Sequence, residues 1–269
     1  MVRPIVKWAG GKRRLAKQIA AKFPPHVDTC LEPFAGGAAV SLEMLAQGKC
    51  SWVVLSDANV ELINAYRMLR DETEELITRL QALADRHTAD LYFAVRDSKP
   101  HSCLDRAMRF LYLNATCFNG LYRVNSAGEF NVPIGRYAKP KICDAENLRT
   151  FSKLLAEHVD LRCEDFENAR WLLEETCSAG VYFDPPYHET FTGYTPNGFT
   201  EADQVRLALL FDEITQRGHH VVLSNSDTPL IRALYGAHEI EVVKAGRAIN
   251  SDGKGRGAVG ELLIRGMKK

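Results

Sequence analysis

Ala179-Gly180-Val181-Tyr182-Phe183-Asp184-Pro185-Pro186-Tyr187 is the stretch from which the fold of this chain is read. Its first five residues form an unbroken apolar run of strand length, the pattern of a strand buried on both faces of a parallel sheet. The acid, two prolines and aromatic that follow stand at the strand's carboxyl end, where open α/β sheets bind their ligands. Consecutive prolines fix φ twice and remove two amide donors, so the carbonyls beside them have no competing partners nearby. The segment presents a rigid carboxylate, a carbonyl and an aromatic face together. That set suits a planar molecule with an exocyclic amino group: Asp184 and the Pro185 carbonyl accept its two N–H bonds while Tyr187 stacks on its ring. An Asp-Pro pair alone is also a common turn opener, so the rest of the chain has to decide between a turn and a site.

Working outward, further strand-like runs lie near residues 27–33, 51–56, 158–163, 219–225, 238–244 and 259–265. Helical patterns separate most of them, at Arg13 to Phe23, Ala38 to Gln47, Asn59 to Leu69, Phe166 to Cys177 and Glu201 to Arg217. Such alternation predicts an α/β fold, a doubly wound and mostly parallel seven-stranded sheet covered by helices on both faces. Only a Gly-rich, basic connection joins the last two runs, too short for a crossover helix, so they are expected to form an antiparallel edge hairpin. Residues 71–141 break the alternation. Helical patterns at Glu72 to Arg86, Thr88 to Arg96 and Leu104 to Leu113 lead into Asn119-Gly120-Leu121-Tyr122-Arg123 and Gly128-Glu129-Phe130-Asn131-Val132-Pro133. The expected organisation is one domain over 1–70 and 142–269 carrying a mostly helical inserted subdomain at 71–141.

The 269 residues suffice for a large core. Lys plus Arg equal Asp plus Glu at 34 each, so net charge indicates no polyanionic partner. The distribution does, because residues 1–22 hold seven basic side chains and no acid, and residues 244–269 hold seven against two acids. Between 104 and 141 six basic residues interleave with aromatics. The seven cysteines show no C-x-x-C and no nearby histidine pair, which argues against a disulfide framework and against a metal site. No apolar leader or span is visible, so the expectation is a cytoplasmic protein without membrane attachment.

Three more segments carry ligand-type residues. Glu32-Pro33-Phe34-Ala35-Gly36-Gly37 follows the first strand and opens a helix, and its glycines permit a sharp turn and close approach to a ligand. The second strand ends at Ser56-Asp57, where doubly wound folds place an acid on a ribose hydroxyl. The strand near 158–163 ends at Glu164-Asp165-Phe166, an acid beside an aromatic that could hold an adenine. Near the start, Lys7-Trp8-Ala9-Gly10-Gly11-Lys12 runs into a helix as an anion-binding loop would, although its spacing is not that of a P-loop.

Together these segments resemble the Dam-like family of DNA adenine-N6 methyltransferases over almost the whole chain, from Lys7 to about Leu263. The D-P-P-Y and F-N-V-P-x-G-R-Y segments are the most specific parts. The resemblance implies a class I methyltransferase fold and S-adenosylmethionine as methyl donor, leaving S-adenosylhomocysteine. It places Trp8, Ala9, Gly10, Lys12, Phe34, Gly36, Asp57, Asp165, Phe166 and Asp184 at the cofactor, and Asp184, Pro185, Pro186 and Tyr187 at the reacting base. It further implies double-stranded DNA as partner, GATC as target and a flipped adenine. Lys7, Phe118, Asn119, Leu121, Arg123, Asn131, Pro133 and Tyr137 would contact the DNA, with Arg123 on a guanine, Phe118 inserting and Asn131 at a phosphate. Ala115 departs from the family, whose close members often carry an arginine there on the backbone. A bacterial or phage-encoded monomer without an obligate protein partner or a metal is the expected form. N4-cytosine or RNA-adenine methylation and a catalytically silent DNA-binding regulator are the alternatives, and Asp184 before the two prolines favours adenine over cytosine.

Overall fold

A computed structural model describes residues 2–171, 176–189, 198–245 and 259–268. Seven strands form one sheet: β1 Thr29–Glu32, β2 Trp52–Ser56, β3 Val159–Arg162, β4 Ala179–Phe183, β5 His220–Ser226, β6 Glu239–Ala245 and β7 Val259–Arg265, in the order β3-β2-β1-β4-β5-β7-β6. β1 pairs parallel to both β2 and β4, and β4 to β5; β7 runs antiparallel to β5 and β6. The seven expected strands, the doubly wound mostly parallel arrangement and the antiparallel edge pair are therefore all present. The Gly-rich basic connection between β6 and β7 falls at 246–258, outside the described residues.

Strand periodicity divides the core. Cys30, Val53, Leu55, Tyr182 and Val222 point into one apolar cluster, and Leu31, Val54, Val181, Phe183 and Leu223 into a second on the other face. The first is the larger because it continues through α3 Val60–Asp71, α4 Thr73–Asp85, α5 Ala89–Asp97, α6 Cys103–Thr116 and α7 Ala145–His158. The residues at 71–141 thus share the apolar cluster that lines one face of the sheet. Helix starts follow local side chains: Asn59 accepts the Glu61 and Leu62 amides at the head of α3, and Ser102 accepts the Asp105 amide at the head of α6. Thr200 and Asp203 form a reciprocal capping box for the Glu201–Gln216 helix.

Two expected helices come out differently. The pattern from Arg13 to Phe23 is divided into a 3-10 turn at Lys12–Arg14 and a short α1 at Ala16–Ala20. The tighter turn accompanies Lys12 facing inward, 5% exposed, while its neighbours Arg13 and Arg14 face water. The pattern from Phe166 to Cys177 is represented by a 3-10 segment at Phe166–Trp171, beyond which residues 172–175 lie outside the described set. Among the described residues no helix is long and apolar enough to cross a membrane.

Candidate active site

The strand order reverses direction between β1 and β4, and in doubly wound sheets the crevice at that switch point is where ligands sit. The glycine turn after β1 and the D-P-P-Y segment after β4 emerge on either side of it. Gly36 has φ +43°, a left-handed conformation, and a Cβ there would lie 2.6 Å from Trp8 Cδ1. Its amide donates to Asp57 Oδ2 at 3.1 Å, and its carbonyl accepts the Tyr66 hydroxyl at 2.6 Å. Asp57 Oδ1 accepts the Asn59 amide at 2.9 Å. Burial raises the Asp57 carboxyl to about 6, with the Asn59 and Gly36 amides opposing the rise.

Glu32, at the end of β1, turns back onto the first turn of α2 Ala39–Ala46. Its Oε2 accepts the Ser41 amide at 3.1 Å and the Ser41 hydroxyl at 2.6 Å. The N-cap of α2 is Ala38 at φ 56°, which offers no capping side chain, so Glu32 supplies the acceptor from the end of β1. Burial pushes Glu32 up to about 8; the Ser41 bonds oppose this and the Asp184 charge adds to it.

Asp184 meets a lysine from the far end of the chain. Lys12 Nζ lies 2.7 Å from Asp184 Oδ1 and 3.8 Å from Glu261 Oε1, and donates to the Gly10 carbonyl at 2.6 Å. The same ammonium stands 4.9 Å from the centroid of the Tyr187 ring, within cation–π range. The Tyr187 hydroxyl donates to Glu261 Oε1. Asp184 is raised by burial to about 6, while the neighbouring Lys12 charge and its hydrogen bond pull downward. Lys12, Asp184, Tyr187 and Glu261 form one compact charged cluster at the carboxyl end of the central strands.

The loop after Asp184 is pinned by polar side chains that sequence reading missed. Gln204 Nε2 donates to the Pro186 carbonyl at 3.0 Å, and Asn225 Nδ2 donates to Gln204 Oε1 at 3.0 Å. Asn225 Oδ1 accepts the His188 amide at 3.1 Å, and the Ser226 hydroxyl donates to the His188 carbonyl at 2.6 Å. Gln204 and Asn225 are 1% and 0% exposed, so these bonds have no competition from water. The polar run Ser224-Asn225-Ser226 closing an apolar strand was the available signal. Glu261 had one too, as the single acid in Val259–Arg265.

The other expected cofactor residues lie around the same crevice, some with partners of their own. Phe34 stacks on Phe166 with centroids 5.4 Å apart, and Phe166 is buried against Phe199 and the Arg206 guanidinium as well. The Asp165 carboxylate accepts from Arg206 at 3.2 Å and from the Glu167 amide at 3.0 Å. Trp8 stacks on Tyr122 at 5.9 Å and 19°, so the tryptophan between Lys7 and the Ala9-Gly10 turn also reaches the 71–141 segment.

In that segment Phe118, Asn119 and Gly120 form a 3-10 turn with Asn119 at φ 55°. Phe118 and Tyr137 are large apolar side chains left exposed, at 38% and 37%. The Phe118 amide donates to the Pro133 carbonyl at 2.9 Å, which ties the two halves of the motif together, and Leu121 follows the turn with its amide on the Phe118 carbonyl. Arg123 and Asn131 face each other on a hairpin: Arg123 Nε donates to Asn131 Oδ1 at 2.7 Å and Nη2 to the Asn131 carbonyl at 3.2 Å. Asn131, expected at a phosphate, thus also orients the arginine. Beside the hairpin runs a groove of about 640 Å³ whose charges are largely paired, Arg106 with Glu61, Lys99 with Glu129 and Arg96 with Asp97.

A family model described as D12 class N6 adenine-specific DNA methyltransferase matches residues 8–249. The chain is 38% identical to the type II methyltransferase M.MjaIII of Methanocaldococcus jannaschii, covering 98% of each. It is also 38% identical to the type II methyltransferase M1.LlaDCHI of Lactococcus lactis subsp. cremoris, covering 98% of this chain and 95% of that one. Against the DNA adenine methylase of Escherichia coli (strain K12) the identity is 35%, over 97% of this chain and 94% of the relative.

Proposed function

The chain belongs to the D12 class of N6 adenine-specific DNA methyltransferases, and from that premise we propose that it methylates adenine within GATC, on a base flipped out of the duplex, using S-adenosylmethionine. The observation that carries this reading is the position of Asp184 and Tyr187 at the carboxyl end of β4, across the switch point from the Gly36 turn. Bound there, S-adenosylmethionine would supply a methyl group on a positively charged sulfur.

The donor set fits that cofactor. Each Asp57 oxygen accepts one backbone amide and keeps a second lone pair for a ribose hydroxyl. Phe34 offers an aromatic face for an adenine, and Asp184, mainly ionised at neutral pH, contributes a carboxylate suited to a cation. On the substrate side, Asp184 and the Pro185 carbonyl accept the N6 hydrogens of the flipped base and aim its lone pair. Gln204 fixes the neighbouring Pro186 carbonyl and with it the course of the loop. Tyr187 stacks on the base, its ring angle set by the hydroxyl bond to Glu261. Lys12 keeps Asp184 ionised against the cost of burial, and an ionised carboxylate is the form that accepts two N–H bonds.

Reading of GATC rests on Arg123. Asn131 occupies its Nε and one Nη2 donor, which leaves the Nη1 end of the fork for guanine O6 and N7. Phe118, exposed at the tip of its turn, fills the place of the flipped adenine.

Incubation of plasmid with the protein and tritiated S-adenosylmethionine, followed by nucleoside mass analysis and methylation-sensitive digestion, tests the proposal. Label in N6-methyladenine at GATC, abolished by Asp184→Ala, is the expected result. Label in N4-methylcytosine, or none, would overturn it.

A further inference from the structure

Lys7 and Gly120 belong to segments more than a hundred residues apart, yet one buried side chain is bonded to both. Asn114 Oδ1 accepts the Lys7 amide at 2.8 Å, its Nδ2 donates to the Lys7 carbonyl at 2.8 Å, and Nδ2 also donates to the Gly120 carbonyl at 3.2 Å. Asn114 is 5% exposed. A primary amide has one acceptor oxygen and two N–H donors, and here both donors and the acceptor are used on backbone groups of the two segments.

Those segments lead to different places. Residue 7 opens directly into the Trp8 to Lys12 loop, whose lysine holds Asp184. Gly120 closes the turn that exposes Phe118 and precedes Arg123. Their contact is intimate: at Gly120, φ +64°, an added Cβ would lie 2.4 Å from Lys7 Cβ, so only glycine lets the segments approach this closely. A second link runs beside the first. Trp8 stacks on Tyr122 and rests against Gly36, so a shift of the glycine turn is passed to the residue before Arg123. The Lys7 ammonium completes the junction by bonding the Ala115 carbonyl at 3.2 Å and lying 4.2 Å from the Tyr137 ring centroid.

We infer that Asn114 is a positioning residue that couples the cofactor crevice to the base-reading turn, so that cofactor and specific duplex each tighten the binding of the other through it. The inference rests on the function proposed above. Its physical basis is that the two segments move as one body while Asn114 bridges them. Without it Lys7 loses two main-chain bonds and the Gly120 carbonyl loses its donor, and each segment can settle independently. A coupling of this kind is reciprocal: the factor by which one ligand tightens the other is the same in both directions.

The test is a binding square. Affinity for a fluorescent GATC duplex is measured by anisotropy with and without S-adenosylhomocysteine, and affinity for S-adenosylhomocysteine by calorimetry with and without duplex. In the unmodified protein each ligand should tighten the other by the same factor, about tenfold, within the usual range for such couplings. In Asn114→Ala that factor should fall towards one while the two separate affinities change far less. Asn114→Asp, which keeps the acceptor for the Lys7 amide and loses both donors, should fall in between. If Asn114→Ala does not fold, Tyr122→Leu, which removes the Trp8 stack, should show the same loss of mutual tightening. Ligands that ignore one another in the unmodified protein, or a factor preserved in Asn114→Ala, would overturn the inference. So would two affinities that drop together with their ratio intact. A chain that methylates GATC normally yet gives one of these results refutes the coupling alone; a chain that binds no duplex refutes the proposed function and the coupling with it.

Discussion

Lys12 Nζ lies 2.7 Å from Asp184 Oδ1, bringing the glycine loop near the amino terminus onto the first residue of the D-P-P-Y segment. Two opposed effects meet at this contact. Burial disfavours the Asp184 carboxylate, and the ammonium beside it favours the carboxylate; the balance leaves the group near 6. The pair also gives Lys12 a buried counter-charge without which its own burial at 5% exposure would be costly. The lysine therefore favours the acceptor form of Asp184 at neutral pH.

The pH profile should report this balance. In the proposed reaction Asp184 works as the carboxylate, so turnover on DNA should rise with pH through about 6 and level above it. Asp57, also near 6, should make the cofactor KM climb over the same acid range. Lys12→Met removes the downward pull on Asp184, and the rising limb of kcat should move to higher pH. Stopped assays from pH 5 to 9 decide it, and an unmoved limb in Lys12→Met would refute the assignment.

Glu261→Gln should separate ring orientation from cofactor binding. The Tyr187 hydroxyl loses a charged acceptor, and hydrogen bonds to charged groups contribute about 1.5–3 kcal/mol, so a fall in kcat of about ten- to a hundredfold is expected. KM for the cofactor should hardly change. Tyr187→Phe should resemble Glu261→Gln, and the double variant should be little worse than either alone. Fully additive losses would show that the two side chains act independently.

Gln204→Ala strands two buried groups, the Pro186 carbonyl and the Asn225 amide. An unsatisfied buried donor or acceptor costs about 1–3 kcal/mol, and a loss of stability in that range should appear in urea unfolding. Activity should fall further than the unfolded fraction accounts for, because the loop carrying Asp184 and Tyr187 loses a fixed point. Activity per folded molecule equal to that of the unmodified chain would rule out the positioning role.

Glu32 should leave a mark on stability. Its carboxyl stands near 8 in the folded chain against an ordinary value of 4.5, so the native state holds a proton that the unfolded chain releases. Its contribution is present in full below about 4.5, declines as pH rises, and is gone above about 8. Other buried acids titrate in the same range, so the decisive quantity is the difference between the unmodified protein and Glu32→Gln. That difference should shrink or reverse between pH 5.5 and 8.5 in thermal melts, and a constant difference would refute it.

Much of this site was legible in the residues themselves. Strand periodicity is local, so all seven strands and the all-buried β4 follow from runs such as Ala179 to Phe183. The acids and glycines fell at strand ends, where a doubly wound sheet assembles ligand sites, and Glu32 to Gly37, Asp57 and Asp184 do gather at one switch point. Helix patterns transferred less well where a side chain had work outside the helix. Lys12, whose ammonium turns inward to Asp184, heads a 3-10 turn, and Phe166, engaged with Phe34, begins a 3-10 segment.

The sequence by itself determined the strands, the mostly parallel character of their sheet and the chemical types at their ends, because each is read from neighbours within a few positions. The partnerships were decided only by the tertiary structure. Lys12 with Asp184, Tyr187 with Glu261, Gln204 between Pro186 and Asn225, and Asn114 between Lys7 and Gly120 join residues that nothing local connects. Placing β5 beside β4 and β7 beside β5 brings Asn225 and Glu261 to the loop after β4, in a crevice largely shielded from water. There burial raises the pKa of Asp184, Asp57 and Glu32, and the free energy of each group is set by whichever charge or amide the fold has put next to it.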